Sequence, residues 1–563
     1  MKKQLIECVP NFSEGRNHHI IKQITDQIEK IKEVKLLNVD PGKATNRTVV
    51  TFVGDPESVI EAAFRAIKKA SEIIDMRNHH GEHPRMGATD VCPLVPISNI
   101  SMEDVVEYAH RLGYRVGEEL GIPGYYYEYA AKTPERKNLA YCRTGEYEGL
   151  KKRLSDPKWE PDFGPVRFNA KTGATAIGAR DFLIAYNINL NTTSTRRANA
   201  IAFDIREKGR VKRQGDPLTG EKVMDEQGNP VFIPGSLKHV KGIGWYIEEY
   251  GIAQISLNLT NINETPIHIA FEEAVRKAEE HGIRVTGSEL VGLVPLNAML
   301  DAGKYFLIKQ RRSLGIPEEE IIKIAIKSLG LNDLSPFNPN ERIIEYMLEE
   351  PVKDRLVDMD LIRFANETSS ESVAPGGGSV AAYVGVLGVS LGTMVANISS
   401  HKRGWDDRWE EFSRQAEKGQ DIKVRLLNLV DDDTKAFNSL IEAMRLPKVT
   451  ETEKTDRNKA IREVTKKAIE VPLNVMKAAL ASMHIIKYVA EKGLKSSISD
   501  AGVGVACARS AVLGAYMNVR INSKNLDDQK YIEKILAECE KIKKEALDLE
   551  SEILGIVEQY LSA

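Results

Sequence analysis

The spacing of apolar residues divides the chain into two parts with different predicted secondary structure. Up to about residue 349, short apolar runs typical of β-strands alternate with helical patterns. The strands are predicted over 4–10, 34–39, 48–53, 92–97, 182–190 and 252–259. Beyond residue 349 strand signals almost vanish, and helical patterns cover 379–398, 406–445, 453–491, 500–521 and 527–561. The pattern therefore predicts an α/β part followed by an all-α helical bundle.

The change from mixed strands and helices to helices alone, together with the charged residues near 349, predicts four segments. Residues 1–181 and 182–348 are expected to form two α/β-sandwich subdomains, each a sheet covered by helices. A charged linker, 349–357, leads into a helical-bundle domain over 358–563. A cleft between two α/β units is a common place for a ligand.

Composition and charge narrow the class of protein. Hydrophobic residues make up 42% and charged residues 28%, which is ordinary for a soluble globular protein. A net charge of -3 argues against a nucleic-acid binder held mainly by phosphate contacts. The five cysteines include no CxxC pair, so neither a disulfide framework nor a thiolate zinc site is indicated. The N-terminus lacks the apolar core of a signal peptide, so we expect a cytoplasmic protein.

One uncharged run, 379–398, is long enough to span a bilayer. Its small and polar residues dilute the apolar surface: Gly385, Gly388, Ser390, Gly392, Thr393 and Asn397. Small residues also let neighbouring helices approach closely. We therefore expect a helix buried inside the bundle and no membrane span.

Residues 79–87 are rich in groups that titrate or donate hydrogen bonds, namely His79, His80, Glu82, His83 and Arg85. Glycine and proline at 81, 84 and 87 interrupt any helix, so a shaped loop is predicted. His83 is the best acid–base candidate because the pKa of imidazole is near neutral. Glu82 could orient an imidazole, and Arg85 could hold a carboxylate bidentately. A zinc site is the alternative, although the pattern is not H-E-x-x-H.

Two further segments of the α/β part carry turn signals. Residues 162–180 mix glycines, aromatic residues and cations before a strand, which fits either a loop around a flat heterocycle with an acidic tail or a plain connection. Residues 211–234 contain several Pro and Gly turns and predict an exposed hairpin or lid, which is either functional or mere decoration.

A glycine-rich segment, 374–379, precedes the first long helix of the bundle. Gly376, Gly377 and Gly378 lead into a helix whose predicted N-cap is Ser379. Free N–H groups there favour an anion or an electron-rich ring. A close crossing of two helices is the alternative interpretation.

One acidic residue interrupts an apolar helix face. Positions 426, 430, 433, 437, 440 and 444 advance by four and three residues and read Leu, Val, Asp, Phe, Leu and Met. Asp433 is therefore predicted to face the core, where burial raises the pKa of a carboxyl group and suits it to donate a proton. Asp431 and Asp432 fall off this face and are expected to be solvated.

Several motifs together resemble one known family. The first half resembles glutamate formimidoyltransferase in Glu7-Cys8-Val9-Pro10-Asn11-Phe12-Ser13-Glu14-Gly15, Asn46-Arg47-Thr48, Gly81-Glu82-His83-Pro84-Arg85-Met86-Gly87 and Gly242-Ile243-Gly244-Trp245-Tyr246. The second half resembles formimidoyltetrahydrofolate cyclodeaminase in Ala374-Pro375-Gly376-Gly377-Gly378-Ser379 and Glu442-Ala443-Met444-Arg445-Leu446-Pro447. Almost the whole chain thus resembles the bifunctional formimidoyltransferase-cyclodeaminase family.

This resemblance implies transfer of the formimino group from N-formimino-L-glutamate to tetrahydrofolate, then cyclisation to 5,10-methenyltetrahydrofolate with release of ammonia, in histidine degradation. It implies His83 as the transferase catalyst and Asp433 as the cyclodeaminase acid. It places folate binding on Gly164, Pro165, Val166, Arg167, Phe168, Asn169, Ala170, Lys171, Thr172 and Gly173. From their chemistry as described above, Glu82, Arg85, Gly376, Gly377, Gly378 and Ser379 are candidate supporting residues.

The resemblance also implies two small-molecule substrates, with tetrahydrofolate in plain or polyglutamylated form, no metal, and a ring-like homo-octamer. The 211–234 segment is longer than the family pattern. Two alternatives remain at this point. One is a metal-dependent amidohydrolase that uses His79, His80 and His83, and the other is a non-catalytic folate-binding scaffold.

Overall fold

The first 180 residues build a seven-stranded sheet with its core against three helices. The computed structural model of the chain describes residues 4–43, 45–81, 84–215, 220–348, 355–524 and 526–562. The strands are β1 (Leu5–Cys8), β2 (Asn11–Phe12), β3 (Val34–Gly42), β4 (Arg47–Gly54), β5 (Thr89–Ser98), β6 (Gly124–Glu128) and β7 (Thr175–Ala179). The helices are α1 (His18–Glu29), α2 (Pro56–Ile73), α3 (Met102–Leu120), α4 (Leu139–Cys142) and α5 (Glu146–Arg153).

The strand order of this sheet is β1-β4-β2-β5-β7-β6, with β3 paired to β4. Pairing is antiparallel except where β7 joins β5 and β6. Ile6 and Cys8 enter the core beneath α2 and α3. Because side chains alternate along a strand, Glu7 and Val9 point to the opposite face, which α1–α3 leave uncovered.

A second sheet follows, with strands β8 (Ile184–Leu190), β11 (Val240–Ile247), β12 (Ile252–Leu259) and β13 (Val285–Val291) and helices α6 (Thr195–Ile205) and α7 (Ile267–Glu280). Its strand order is β11-β12-β8-β13, with antiparallel pairing throughout. Between them, β9 (Arg210–Val211) and β10 (Phe232–Ile233) pair antiparallel. The predicted hairpin over 211–234 is thus confirmed for its described residues; 216–219 lie outside them.

The remaining elements are helical. They are α8 (Leu296–Lys309), α9 (Glu318–Leu329), α10 (Pro339–Arg342), α11 (Ile344–Leu348), α12 (Leu361–Thr368), α13 (Gly377–Ser400), α14 (Trp409–Met444), α15 (Glu451–Lys492), α16 (Ile498–Ser523) and α17 (Gln529–Leu561). Helices α13–α17 surround one apolar core. Of the predicted linker, 349–357, residues 349–354 lie outside the described residues.

Small residues on α13 let other helices approach it closely, as the sequence predicts. Gly385 lies against Ala511, and Gly388 lies against the backbone of Gly504 and Ala508. In the described part of the chain, three helical segments are long and apolar enough to cross a membrane by length and composition, namely 377–400, 451–492 and 495–523. At least half of each apolar window is buried inside the protein. The absence of a membrane span stays a prediction.

The chain separates into two compact units, and the segment 299–328 belongs to the second unit and not to the first. The first unit takes residues 1–298 and 329–349, and the second takes 299–328 and 350–563. Within the second unit, the loop after α8 is bound tightly by α13 and α14. The Gly315 carbonyl accepts hydrogen bonds from Asn397 (2.8 Å) and Gln420 (3.0 Å). A side chain at Gly315 would overlap Ala416, so only glycine fits there. The predicted boundaries at 181 and 348 stay predictions.

Candidate functional site

The loop over 79–87 is pinned at both ends. Asn46 donates its amide N–H to the His80 carbonyl (3.0 Å) and accepts from the Gly15 N–H (3.0 Å). At the other end, Ser13 donates its hydroxyl to the Gly87 carbonyl (2.7 Å). Glu82 and His83 lie outside the described residues. The backbone on either side of them is nevertheless held by two neighbouring segments of the sheet.

His79 and Arg85 make hydrogen bonds within the protein that stabilise this loop. The His79 Nε2 lies 2.8 Å from the Asn46 carbonyl, and Arg85 Nε donates to His79 Nδ1 (3.3 Å). Burial lowers the pKa of His79, so this imidazole is neutral and both of its nitrogens are occupied. Arg85 is buried and holds Glu148 bidentately (2.7 and 3.0 Å), with Glu146 beside it. The carboxylate that Arg85 holds is therefore one of the protein's own.

The segment 164–173 lies directly beside this loop. Gly87 and Gly173 form an antiparallel bridge, and the Ala88 N–H donates to the Thr172 carbonyl (2.8 Å). Gly164 and Gly173 have positive φ angles (77° and 68°), and a side chain at either would overlap a backbone carbonyl. The segment's ends are thus fixed, while its middle residues, Pro165, Val166 and Arg167, are exposed. The structure brings together two segments that the sequence marks separately.

A cleft of about 760 Å³ opens on the uncovered face of the first sheet and is bounded by residues of both sheets. Five cations and two acids line it: Arg47, Lys137, Arg143, Arg180 and Lys241, against Glu128 and Asp181. Within the described residues, Asn11 Oδ1 and Arg47 Nε are buried and have no hydrogen-bond partner. These free polar groups and the excess of positive charge suit a ligand that carries carboxylates.

Sequence reasoning missed most of this cleft. Arg143 pairs with the fully buried Asp90, 53 residues away in the chain, and no local pattern announces that pair. Burial raises the pKa of Glu7 to about 7, and nearby Arg180 opposes that rise. The polar residue Glu7 between the apolar Ile6 and Cys8 is itself the signal that could have been used. Alternation along the strand turns its carboxyl group to the face opposite α1–α3.

A second polar cluster lies in the helical unit, where α13 begins beside α14. Asp433 is partly buried, and its Oδ2 accepts from the Ser379 N–H (3.0 Å) and from the Ser379 hydroxyl (3.2 Å). Burial raises the pKa of Asp433, and the two Ser379 hydrogen bonds oppose that rise. The cluster therefore combines a carboxyl group disposed to hold a proton with two donors that favour the ionised form.

The start of α13 differs from the prediction. The N-cap is Gly376, which has no capping side chain, and Ser379 lies two residues inside the helix. The predicted role of Ser379 as N-cap is therefore wrong. The physical reason is that three consecutive glycines give no local signal for where a helix begins. The helix N–H that was expected to meet a ligand meets Asp433 instead.

The apolar face of α14 also ends earlier than predicted. Leu426 and Val430 are buried, but Phe437 and Met444 are 44% and 47% exposed. Beyond Asp433 the described residues of this face leave the core. The prediction for Asp432 holds, since it is 45% exposed and pairs with Lys435.

Asp431 is not solvated, which corrects the prediction. It is buried, and it accepts hydrogen bonds from the Leu356 N–H (2.8 Å) and from Arg355 Nε (3.2 Å). These partners are about 75 residues away in the chain, so the helical period of α14 could not reveal them. The carboxylate ties the segment before α12 to α14.

The Asp431→Asn variant is therefore expected to be less stable than the wild type by about 2 kcal/mol, since it removes a charged acceptor from two hydrogen bonds. Chemical denaturation of the full chain measures this loss. The matched control is Asp432→Asn, which removes only an exposed ion pair and should change the free energy of unfolding by well under about 1 kcal/mol. Equal stability of the two variants would contradict the structural role of Asp431.

Gly378 supplies a test of the Asp433 cluster. A side chain at Gly378 would overlap the Asp433 carboxyl group, whereas one at Gly376 would meet nothing within 4 Å. Gly378→Ala should displace Asp433 and lower any activity that depends on it by about a hundredfold. Gly376→Ala is the matched control and should retain that activity. Because alanine favours helix over glycine, a loss in Gly378→Ala cannot come from a weakened helix. Equal activities would show that the position of Asp433 is unimportant.

Family comparisons cover nearly the whole chain. Residues 5–180 match the model of the formiminotransferase domain, N-terminal subdomain, 185–349 match the formiminotransferase domain, and 360–541 match formiminotransferase-cyclodeaminase. The chain is 45% identical over 529 residues to formimidoyltransferase-cyclodeaminase of Gallus gallus, which is 94% of each chain.

Two shorter relatives match parts of the chain. Glutamate formimidoyltransferase of Thermoplasma acidophilum is 45% identical over 305 residues, which is 54% of this chain and 92% of the relative. Methenyltetrahydrofolate cyclohydrolase of Methylorubrum extorquens is 34% identical over 199 residues, 35% of this chain and 96% of the relative. The chain is thus similar to full-length bifunctional proteins and to shorter proteins with single activities.

Proposed function

The chain belongs to the formimidoyltransferase-cyclodeaminase family, and from that premise we propose how its residues divide the two reactions. The enzyme transfers the formimino group of N-formimino-L-glutamate to tetrahydrofolate and cyclises 5-formimidoyltetrahydrofolate to 5,10-methenyltetrahydrofolate with release of ammonia. Histidine degradation is the expected context. The observation that carries this conclusion is the 45% identity to a bifunctional relative along 94% of both chains.

The transfer reaction is assigned to the loop over 79–87 and the cationic cleft. N5 of tetrahydrofolate must lose a proton, and the departing glutamate amine must gain one. His83 performs both steps in sequence, because one imidazole with a near-neutral pKa can accept and return a proton. The hydrogen bonds that hold His80 and Gly87 on either side support this assignment, because catalysis needs its groups on a fixed backbone. Arg85 and Glu148 stabilise the loop, and Glu82 is a candidate to orient His83.

The substrates carry several carboxylates, which the cations of the cleft suit. The two carboxylates of formiminoglutamate and the glutamate tail of the folate fit the charge of Arg47, Arg143, Arg180 and Lys241. The exposed middle of 164–173 is assigned to the pteridine and its linker. A polyglutamate tail adds negative charge and is an expected feature of the folate substrate.

Cyclisation is assigned to Asp433. N10 attacks the formimidoyl carbon, and the amino group of the resulting intermediate leaves as ammonia once it is protonated. A carboxyl group whose pKa is raised by burial is disposed to hold a proton and can supply it. Gly378 belongs to this site because its lack of a side chain makes room for the carboxyl group.

The other parts of the proposal are a cytoplasmic homo-octamer, two α/β-sandwich subdomains before the helical domain, and catalysis without a metal. Neither reaction requires a Lewis acid in this scheme. The zinc alternative would need His79 as a ligand, but both of its ring nitrogens are already bound within the protein.

The test is an assay of the purified chain with formiminoglutamate and tetrahydrofolate, following the absorbance of the methenyl product and the release of ammonia. Both products should form in equal amounts. Dialysis against a chelator should leave the rate unchanged. A loss of activity that zinc restores would contradict the assignment to acid–base chemistry and revive the metal-dependent alternative.

A further inference from the structure

The two oxygens of the Asp433 carboxyl group have different surroundings. Oδ2 accepts from the Ser379 N–H (3.0 Å) and lies 3.2 Å from the Ser379 hydroxyl. Oδ1 has no hydrogen bond to any described residue. Both oxygens lie close to Gly378, so the hydrogen bonds alone distinguish them. A proton on Oδ2 would face the Ser379 N–H, which is itself a donor. A neutral Asp433 therefore carries its proton on Oδ1.

The Ser379 hydroxyl has two acceptors and only one proton. It lies 2.9 Å from the Val430 carbonyl and 3.2 Å from Asp433 Oδ2. When Asp433 is neutral, the hydroxyl is free to donate to Val430. When Asp433 is ionised, a hydrogen bond to the charged Oδ2 is the stronger of the two. The hydroxyl thus responds to the protonation state of the carboxyl group.

From this asymmetry we infer that Ser379 is a positioning residue for cyclodeamination, which holds Asp433 by Oδ2 so that Oδ1 delivers the proton to the leaving amino group. The inference rests on the proposed role of Asp433. In the step, the proton moves from Oδ1 to the nitrogen, the carbon–nitrogen bond breaks, and its electron pair leaves with ammonia. The charge that appears on the carboxylate is met on Oδ2 by both Ser379 donors. N10 loses its proton to solvent when it attacks the carbon. The carboxylate takes a proton back from solvent, which restores the carboxyl group.

The surroundings of Asp433 make its titration simple to interpret. Among the described residues, burial and the Ser379 hydrogen bonds shift its pKa, and no charged group of α13, α15 or the segment before α12 contributes. On its own helix, Asp431 is bound by Arg355, and Asp432 pairs with Lys435. The loss of the Ser379 hydroxyl removes an interaction that lowers the pKa of Asp433. That pKa should therefore rise.

The experiment measures the pH dependence of cyclodeamination of supplied 5-formimidoyltetrahydrofolate by the full chain. In Ser379→Ala, kcat should fall about tenfold or more, because a hydrogen bond to a charged group is lost. The alkaline limb of kcat/KM should move to higher pH, and KM should change little. Ser379→Thr keeps the hydroxyl and should restore the wild-type limb.

The matched control is Ser390→Ala, which removes another hydroxyl of α13 that donates only to the Val386 carbonyl of its own helix (2.7 Å). It should leave the pH profile unchanged.

A Ser379→Ala variant that loses rate without a shift of the alkaline limb has a merely structural defect, and this would overturn the inference. If Asp433→Asn itself keeps the activity and the limb, the proposed function of Asp433 is wrong. If Ser379→Ala fails to fold, a wild-type rate and limb in Ser379→Cys, a weaker donor, would overturn the inference, and a shift to higher pH would support it.

Discussion

The His83→Ala variant is expected to lose formimino transfer while it still cyclises supplied 5-formimidoyltetrahydrofolate. In the proposed mechanism this imidazole takes the N5 proton and returns it to the departing amine, so its removal takes away the general acid–base. Loss of a general acid–base typically costs about a hundredfold or more. Transfer is measured as formimidoyltetrahydrofolate formed from formiminoglutamate, and cyclisation is measured separately with the supplied intermediate.

The matched control for this variant is His80→Ala, which removes an exposed imidazole from the same loop. Asn46 binds the carbonyl of His80 and not its ring, so this change leaves the loop anchored. His80→Ala should transfer at close to the wild-type rate. Near-normal transfer by His83→Ala, or loss of transfer in both variants, would contradict the assignment of His83.

The Asp433→Asn variant is expected to show the opposite division. Transfer should continue, cyclisation should fall by about a hundredfold or more, and 5-formimidoyltetrahydrofolate should accumulate, since an amide cannot donate the proton as the carboxyl group does. Chromatography of the folate products separates the accumulated intermediate from the methenyl product. Asp432→Asn is the control and should keep both activities, because Asp432 makes only an exposed ion pair.

The Asp433→Asn variant also tests how ionisation of Asp433 changes the stability of the folded protein. Burial raises the pKa of Asp433 above the value of about 3.9 that an unfolded Asp has. Folding therefore disfavours the ionised form, so stability falls as pH rises through the unfolded value and levels off above the folded one. Asparagine cannot ionise and removes this loss. Asp433→Asn should be no less stable than the wild type at pH 8, and a less stable variant would contradict the direction of the shift.

Local patterns revealed much of the fold because they depend on neighbours in the chain. The strands predicted over 34–39, 48–53 and 252–259 appear as β3, β4 and β12. The strands β6, β7, β11 and β13 were missed. Each contains glycine or lacks a clean alternation of polar and apolar residues, and each is stabilised as a strand by pairing with distant segments.

The sequence predicted those features of the site that depend only on neighbouring residues in the same helix or loop. The helical period correctly turned Asp433 toward the protein interior, but it could not show that Phe437 and Met444, on the same face, are nearly half exposed. It also could not show that Asp431 is bound by Arg355. These outcomes depend on residues far away in the chain, as does the pairing of Arg85 with Glu148.

The assignment of 299–328 to the helical unit bears on what happens when such a chain is cut in two. The transferase-domain family model extends to residue 349, yet 299–328 belong to the helical unit, in which the Gly315 loop is bound by α13 and α14. Cleavage near residue 350 would leave each fragment with part of the same folded unit. One fragment would carry the Gly315 loop and the other the amides that bind it. Fragment complementation, rather than independence of two freely separable modules, is the behaviour that this shared packing favours.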